Sequence, residues 1–223
     1  MRTGRSYRVQ CQLGRGAFGA VYLAETVGTG LERRVAVKLL RPEKAAEPGL
    51  VGRLRDEARM LAAIRHRAIV RVDDLVELDG TWAIVMEYVE GCDLTELLGQ
   101  RPVPPVAALA LAEEVASALH AAAHQAGPDG KPLKLIHRDI KPSNLRVTAQ
   151  GEVKILDFGV ARAELSAREE ATQEAAFGTV PYMAPERFYG EDSHAGDVYA
   201  LGVTLFEMHT GVKPGKTAMD SDR

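Results

Sequence analysis

This chain of 223 residues is short of several features that would have settled its class at once. It has two cysteines, Cys11 and Cys92, too few for a disulfide framework and not spaced as a CxxC metal pair. A reducing, cytoplasmic compartment suits them. It has no excess of either charge: 28 Lys and Arg stand against 31 Asp and Glu, a net charge of -3. That balance gives no electrostatic basis for nucleic acid or an anionic membrane as the main partner. No apolar signal block follows Met1-Arg2-Thr3-Gly4-Arg5-Ser6. The longest apolar stretch, 103–123, carries Pro104, Pro105, Glu113 and Glu114 and reads as broken, not as a membrane span. His120 and His124 lack the intervening glutamate of a zinc helix and a third ligand, so they read as structural or solvated. There is no internal repeat and no low-complexity tract. What is present is ordinary for a folded soluble chain: 46% hydrophobic and 26% charged residues, enough for one domain or a small pair of lobes.

The first 90 residues read mostly as strands, at 7–9, 20–24 and 34–40. Between 48 and 66 the period turns helical: Leu50, Leu54, Ala58, Leu61 and Ile64 recur every three or four residues. Two further strands, 69–78 and 81–88, join through Asp79-Gly80, a hairpin signal. Beyond Gly91 the character changes. Ala- and Leu-rich helices are predicted at 93–98 and 106–125, with a loop at 127–132. A short hairpin follows at 145–148 and 153–156. A polar stretch, 164–174, reads as a loop, and 197–210 as a final helix.

Chemistry enters with Gly14-Arg15-Gly16-Ala17-Phe18-Gly19-Ala20-Val21, which fits G-x-G-x-x-G-x-V. A dinucleotide-binding turn would need a helix next and an acidic residue about 20 positions on. A strand follows instead, and Lys38-Leu39-Leu40 stands at the later place. That reading fails, and the motif alone is equally a plain hairpin turn. Other motifs then appear in one order. Val35-Ala36-Val37-Lys38 lies on a strand and Glu57 on a helix. His137-Arg138-Asp139-Ile140-Lys141-Pro142-Ser143-Asn144, Asp157-Phe158-Gly159 and Ala184-Pro185-Glu186 follow. This is the order and approximate spacing of the protein kinase signature set. Over nearly all of 1–215 the chain resembles the eukaryotic-like (Hanks-type) bacterial serine/threonine protein kinases.

The resemblance implies an α+β, bilobal fold. Residues 1–86 would form a small antiparallel sheet plus one helix, 87–91 a hinge, and 92–223 a larger, mainly helical lobe. It implies transfer of the γ-phosphate of ATP to Ser/Thr hydroxyls of protein substrates, with Mg2+ as cofactor. Activation-loop autophosphorylation comes with it and leaves open a transient homodimer. Such transfer needs phosphate charge neutralised and a hydroxyl placed in line. Gly14, Gly16 and Gly19 let backbone approach the phosphates, with Leu13, Arg15, Ala17, Phe18, Ala20 and Val21 completing that loop. Lys38 would pair the α- and β-phosphates, held by Glu57. Asn144 and Asp157 would supply hard oxygens to magnesium. Asp139 would accept the substrate proton, and Lys141 would contact the transferred phosphate. That lysine, with Thr179, is on the serine/threonine side of the family. Met86 would be the gatekeeper, with plain core packing as its other reading. The Glu87 carbonyl and the Val89 amide and carbonyl would read adenine, covered by Val21 and Ala36. Asp197 would brace the catalytic loop, or be an ordinary helix N-cap. Leu61, Leu75, His137 and Phe158 would stack as an apolar column.

Two departures and one candidate regulatory segment stand out. Arg146 occupies the place of the usual apolar adenine floor. Losing a buried leucine there costs about 1.5–3 kcal/mol, part of which the arginine stem would recover by lying under the ring. The segment 157–186 holds two candidate phosphosites, Thr172 and Ser166, with Glu169, Glu170 and Glu174 nearby. Arg138 would be drawn to a phosphate there. Finally, the helices that usually follow the Asp197 helix are not seen before Arg223, so Glu186 has no assignable arginine partner. This reads as a catalytic domain shortened at its C-terminus. The alternative function is a weak or silent kinase-like nucleotide-binding module.

Overall fold

The structure, a computed structural model, describes residues 6–16, 19–28, 30–41, 50–127, 129–158 and 180–213. Ala17, Phe18, Ser166, Thr172 and Thr179 lie outside the described residues, as does the side chain of Glu57. The chain divides into two compact units, Met1–Ala63 with Val70–Tyr88 and Ile64–Ile69 with Val89–Arg223.

The first unit is an antiparallel sheet with one helix. Its strands are β1 (Ser6–Gly16), β2 (Gly19–Val27), β3 (Arg34–Leu40), β4 (Val72–Leu78) and β5 (Thr81–Glu87). They lie in the order β1-β2-β3-β5-β4. β-branched residues make β3 and β5 strands, and alternation sends Val35 and Val37 to one face. There they bury with Ala24, Ala83 and Val85, backed by Tyr7, Leu39, Val76 and Leu78. Asp79 and Gly80 both take positive φ, 48° and 80°, the conformation of a tight hairpin turn. The helix α1 (Leu50–Ala63) packs on β4. It ends before Ile64, shorter than the 48–66 period suggested, and strand β4 begins after the isolated bridge of Ile69 to Ile155.

The second unit is mainly helical. A small sheet joins β6 (Cys92–Asp93), β7 (Leu145–Val147) and β8 (Val153–Ile155). Its helices are α2 (Leu94–Leu98), α3 (Pro105–His124) and α4 (His194–Thr210). Asp93 caps α2 through a reciprocal capping box with Glu96. By length and composition α3 could cross a membrane. Pro105 opens this helix, a position where proline is tolerated, so the two prolines do not break the apolar stretch as expected. Ala108, Ala112, Val115, Ala118, Leu119, Ala122 and Ala123 form its buried face, and α3 packs on α4. Glu114 takes a forked pair of bonds from Arg67, whose nearness holds the Glu114 carboxyl below its usual range. Within this unit α3 is a core helix. The buried Glu207 carboxylate of α4 accepts the Tyr182 hydroxyl. Burial, reinforced by Glu207, pushes the Tyr182 phenol far above its ordinary range.

Candidate active site

In the first unit, strand register gathers the expected nucleotide-binding side chains. Val21 pairs with Lys38, and Ala36 with Met86. Paired residues share a face, and residues two apart on one strand share it too. Val21, Ala36, Lys38 and Met86 therefore lie together on the face opposite the Val35–Val37 core. The glycines cluster at one end of the β1–β2 hairpin, where Gly14 pairs with Val21 and Gly16 with Gly19. A Cβ on Gly19 would sit 1.9 Å from the Leu39 carbonyl oxygen, so only glycine allows β2 to meet β3 there. Leu13, Arg15 and Ala20 sit on the same hairpin. Glu87 ends β5, its amide donating to the Arg71 carbonyl at 3.0 Å. Leu61 is buried on α1 and Leu75 half-buried on β4.

In the second unit, the segment 136–144 forms a loop that runs into a 3₁₀ turn, Pro142–Asn144. This loop brings three expected catalytic side chains together. Asn144 Nδ2 donates to both the Asp139 carbonyl and its Oδ2, each at 2.7 Å. Lys141 Nζ stands 3.0 Å from the same Oδ2. Asp139 is 7% exposed, so its carboxylate meets these donors with little water to screen them. Because Asn144 commits its Nδ2 to Asp139, its oxygen is the atom left to serve a cation. β7 and β8 pair Leu145 with Ile155, and the Leu156 amide donates to the Asn144 carbonyl at 2.8 Å. Asp157 therefore stands one residue beyond a pair with Asn144, with an exposed carboxylate. Two hard oxygens at neighbouring strand ends are of the donor type a divalent cation takes. Among the described residues no group of three His, Cys, Asp or Glu could hold a metal by itself.

The loop is fixed from below by buried polar groups. His137 is fully buried, and burial drives its imidazole below its usual range. The ring Nδ1 accepts the Asp139 amide at 3.2 Å and Nε2 faces the Leu156 carbonyl at 3.0 Å. That pattern requires a neutral ring with its proton on Nε2. Phe158 packs edge-on against it, centroids 4.6 Å apart. Asp197, 4% exposed, accepts the His137 amide at 2.7 Å and the Arg138 amide at 2.8 Å. It is not the N-cap: α4 begins three residues earlier, and Ser193 caps it. Arg138 holds φ at 67°, strained for a side chain of this kind, and Asp157 holds 52°, which aspartate tolerates better. Glu186 is half-buried, not sequestered.

Arg146 behaves differently from expectation. Its Nε donates to the Val89 carbonyl at 2.8 Å, and its guanidinium also donates to the Gly91 carbonyl. One of the groups expected to read adenine is thus engaged by the chain itself. Gly91 makes the clasp possible: a Cβ there would lie 2.2 Å from the Val147 oxygen, and its φ is 154°. Sequence reading missed this clasp, and also Arg187 and Asp192, which bind Arg138. Their pairings have no local signal.

Comparison with known proteins agrees with this geometry. The protein kinase domain model matches residues 7–222. The chain is 38% identical over 212 residues to the tyrosine-protein kinase MasK of Myxococcus xanthus, covering 91% of this chain and 32% of that protein. It is 38% identical over 215 residues to the serine/threonine-protein kinase PrkC of Bacillus subtilis, covering 96% and 32%. It is 39% identical over 209 residues to the serine/threonine-protein kinase PknB of Mycobacterium tuberculosis, covering 91% and 32%. The chain spans about a third of the length of these curated relatives. The crystal structure of the Mycobacterium tuberculosis PknI kinase domain superimposes with a TM-score of 0.69 at 32% identity, over 96% of this chain and 77% of that one. The α+β architecture is the protein kinase fold, and the chain belongs to the protein kinase domain family.

Proposed function

We propose that this chain transfers the γ-phosphate of ATP to serine and threonine hydroxyls of protein substrates. The observation that carries the reading is the Asp139–Lys141–Asn144 constellation, held on a loop whose backbone is tied to buried Asp197. Asp139 takes the proton of the attacking hydroxyl. Lys141, beside it, offsets charge on the transferred phosphoryl group. Asn144 and Asp157 would hold Mg2+, which when bound neutralises the nucleotide phosphates. Gly14, Gly16 and Gly19 would give the phosphates room and Lys38 would meet them from the sheet; Glu57 is assigned as the partner of Lys38 by the family resemblance alone. Val21, Ala36 and Met86 would line the purine site and Glu87 would present backbone to it; the roles of Val89 and of a hinge at 87–91 are carried over from the family resemblance alone. Thr172 and Ser166 are the autophosphorylation sites of this reading, and the kinase works in the cytoplasm. Of the named relatives, one is called a tyrosine-protein kinase and two serine/threonine-protein kinases. The Lys141 position supports serine and threonine. The test is incubation with Mg–ATP and a generic protein acceptor, read by intact mass and phosphoamino-acid analysis. Phosphoserine and phosphothreonine are expected; phosphotyrosine alone, or no phosphate in a folded sample, rejects the reading.

Arg146 favours a second reading, a weak nucleotide-binding module, because a cation stands where an apolar floor is usual. The Arg146→Leu variant measures its weight. The guanidinium is half-exposed, so loss of its clasp is largely made good by water. A leucine burying its side chain against the purine gains about 1.5–3 kcal/mol. The ATP dissociation constant should therefore fall about 10-fold or more, as measured by calorimetric titration. Unchanged or weaker binding would show that the clasp outweighs the floor.

A further inference from the structure

We propose that Asp192 is a positioning residue that holds the catalytic loop in its working conformation without a phosphate on the segment 157–186. The inference rests on the kinase reading above and concerns how that activity is switched.

Arg138 is the key residue. It immediately precedes Asp139, so any change in its backbone moves the catalytic carboxylate. Its φ of 67° is one a non-glycine residue keeps only under outside restraint. The restraints come from three side chains. Asp197 accepts its amide at 2.8 Å. Arg187 donates through its guanidinium to the Arg138 carbonyl. Asp192 Oδ2 accepts the Arg138 Nε at 2.8 Å, while Oδ1 faces the Arg187 Nε at 2.9 Å. One carboxylate thus bridges two guanidinium groups, and one of those groups bolts the strained peptide in place.

Two arginines converging on one point normally make an anion site, and an added phosphate would be its natural occupant. Here the anion is built into the chain. Arg138 and Arg187 bring two positive charges, and Asp192 and Asp197 two negative ones. Among the described residues, both guanidiniums face the Asp192 carboxylate. The two guanidiniums are mostly shielded, with side-chain exposures of 19% and 11%, while the Asp192 carboxylate is 36% exposed and meets solvent.

Asp192 lies between two locally capped neighbours. Gly190, with φ 84°, terminates the 3₁₀ turn Pro185–Tyr189 just before it. Ser193 caps α4 just after it, its hydroxyl accepting the Gly196 amide. The carboxylate is held between two anchored neighbours. A phosphate, in contrast, would have to be added and kept. In this proposal Asp192 gives Arg138 the anion that an activation-segment phosphate is expected to give.

The experiment uses the full chain, as purified after autophosphorylation and after phosphatase treatment, with phosphate content read by intact mass. Wild-type kcat should be the same in both forms within about twofold. In dephosphorylated Asp192→Asn, kcat should fall about 10–100-fold with KM for ATP unchanged, as expected for a catalytic group displaced by a fraction of an ångström to an ångström. Asp192→Glu, which keeps the bridging carboxylate, should recover most of that loss, and melting temperatures are recorded for each form. A wild type that loses about tenfold or more on dephosphorylation overturns the proposal, and this arm needs no variant to fold. An Asp192→Asn variant with unchanged kcat overturns it too, as does a loss in Asp192→Glu equal to that in Asp192→Asn. A wild type as inactive as Asp139→Asn in every form means that the kinase reading itself has failed, and the proposal falls with it.

Discussion

Replacing Asp139 by Asn lowers the turnover number by about 10²–10⁴-fold, the usual contribution of a positioned general base, and leaves ATP affinity nearly unchanged. The substitution keeps size and shape, so it tests charge and basicity alone. In the wild type, the Asp139 carboxylate oxygen Oδ2 receives Asn144 Nδ2 at 2.7 Å and stands 3.0 Å from Lys141 Nζ. An amide oxygen at that place still accepts from Asn144, so the loop keeps its shape. The amide does not take a proton from a substrate hydroxyl, and its oxygen attracts the lysine less. Both losses act when the hydroxyl attacks, so they appear in kcat and not in KM for ATP. Steady-state kinetics with a protein acceptor, beside direct titration of nucleotide, separates the two. If the Asn variant turns over within about tenfold of the wild type, Asp139 is not the base. If ATP binding collapses with kcat, the carboxylate serves the nucleotide site and not the hydroxyl.

What could be read from sequence followed a physical pattern. Chemistry confined to a few consecutive residues was legible. The run His137 to Asn144 carries its base, its lysine and its amide within one loop, and the structure brings those three together. The hairpin at Asp79-Gly80 was legible because two adjacent positive φ values demand such residues. The register that puts Lys38, Val21, Ala36 and Met86 on one face followed from strand alternation once β2, β3 and β5 were paired. Pairings between distant residues were not legible. Arg146 meets Val89 across 57 positions, Arg138 meets Asp192 across 54, and Tyr182 meets Glu207 across 25. Each partner looks locally like any polar loop or helix residue, and only the folded chain chooses it. The start of α4 was misjudged for a related reason. Asp197 and Ser193 are both good caps by type. The structure gives the cap to Ser193 and sends Asp197 to the catalytic loop. The prolines before α3 misled because a helix-breaking residue is harmless in the first turn.

Asp197→Ala, in α4 beneath the catalytic loop, should be strongly destabilising. Its carboxylate is 4% exposed and accepts two backbone amides, those of His137 and Arg138. Truncation leaves both donors with no protein acceptor in a place that water barely reaches. Each buried donor without a partner costs about 1–3 kcal/mol, so the pair amounts to roughly 2–6 kcal/mol. Against a total stability of about 5–15 kcal/mol for a domain of this kind, that is a large share. The Arg138 amide matters most, because the same residue holds φ at 67° and the restraint is lost with the bond. Asp197→Asn divides the effect. Its one oxygen serves one amide, while its NH2 group now faces the other donor, so it should recover only part of the loss. Urea unfolding of the three proteins measures the order wild type, Asn, Ala. The activity of the Asn variant should fall further than its stability alone explains, since the peptide it loosens is joined to Asp139. An alanine variant within about 0.5 kcal/mol of wild type, as for an ordinary surface change, would mean that water reaches those amides and that the loop is braced elsewhere. The cluster of Arg187 and Asp192 on the far side of Arg138 would then be the principal brace.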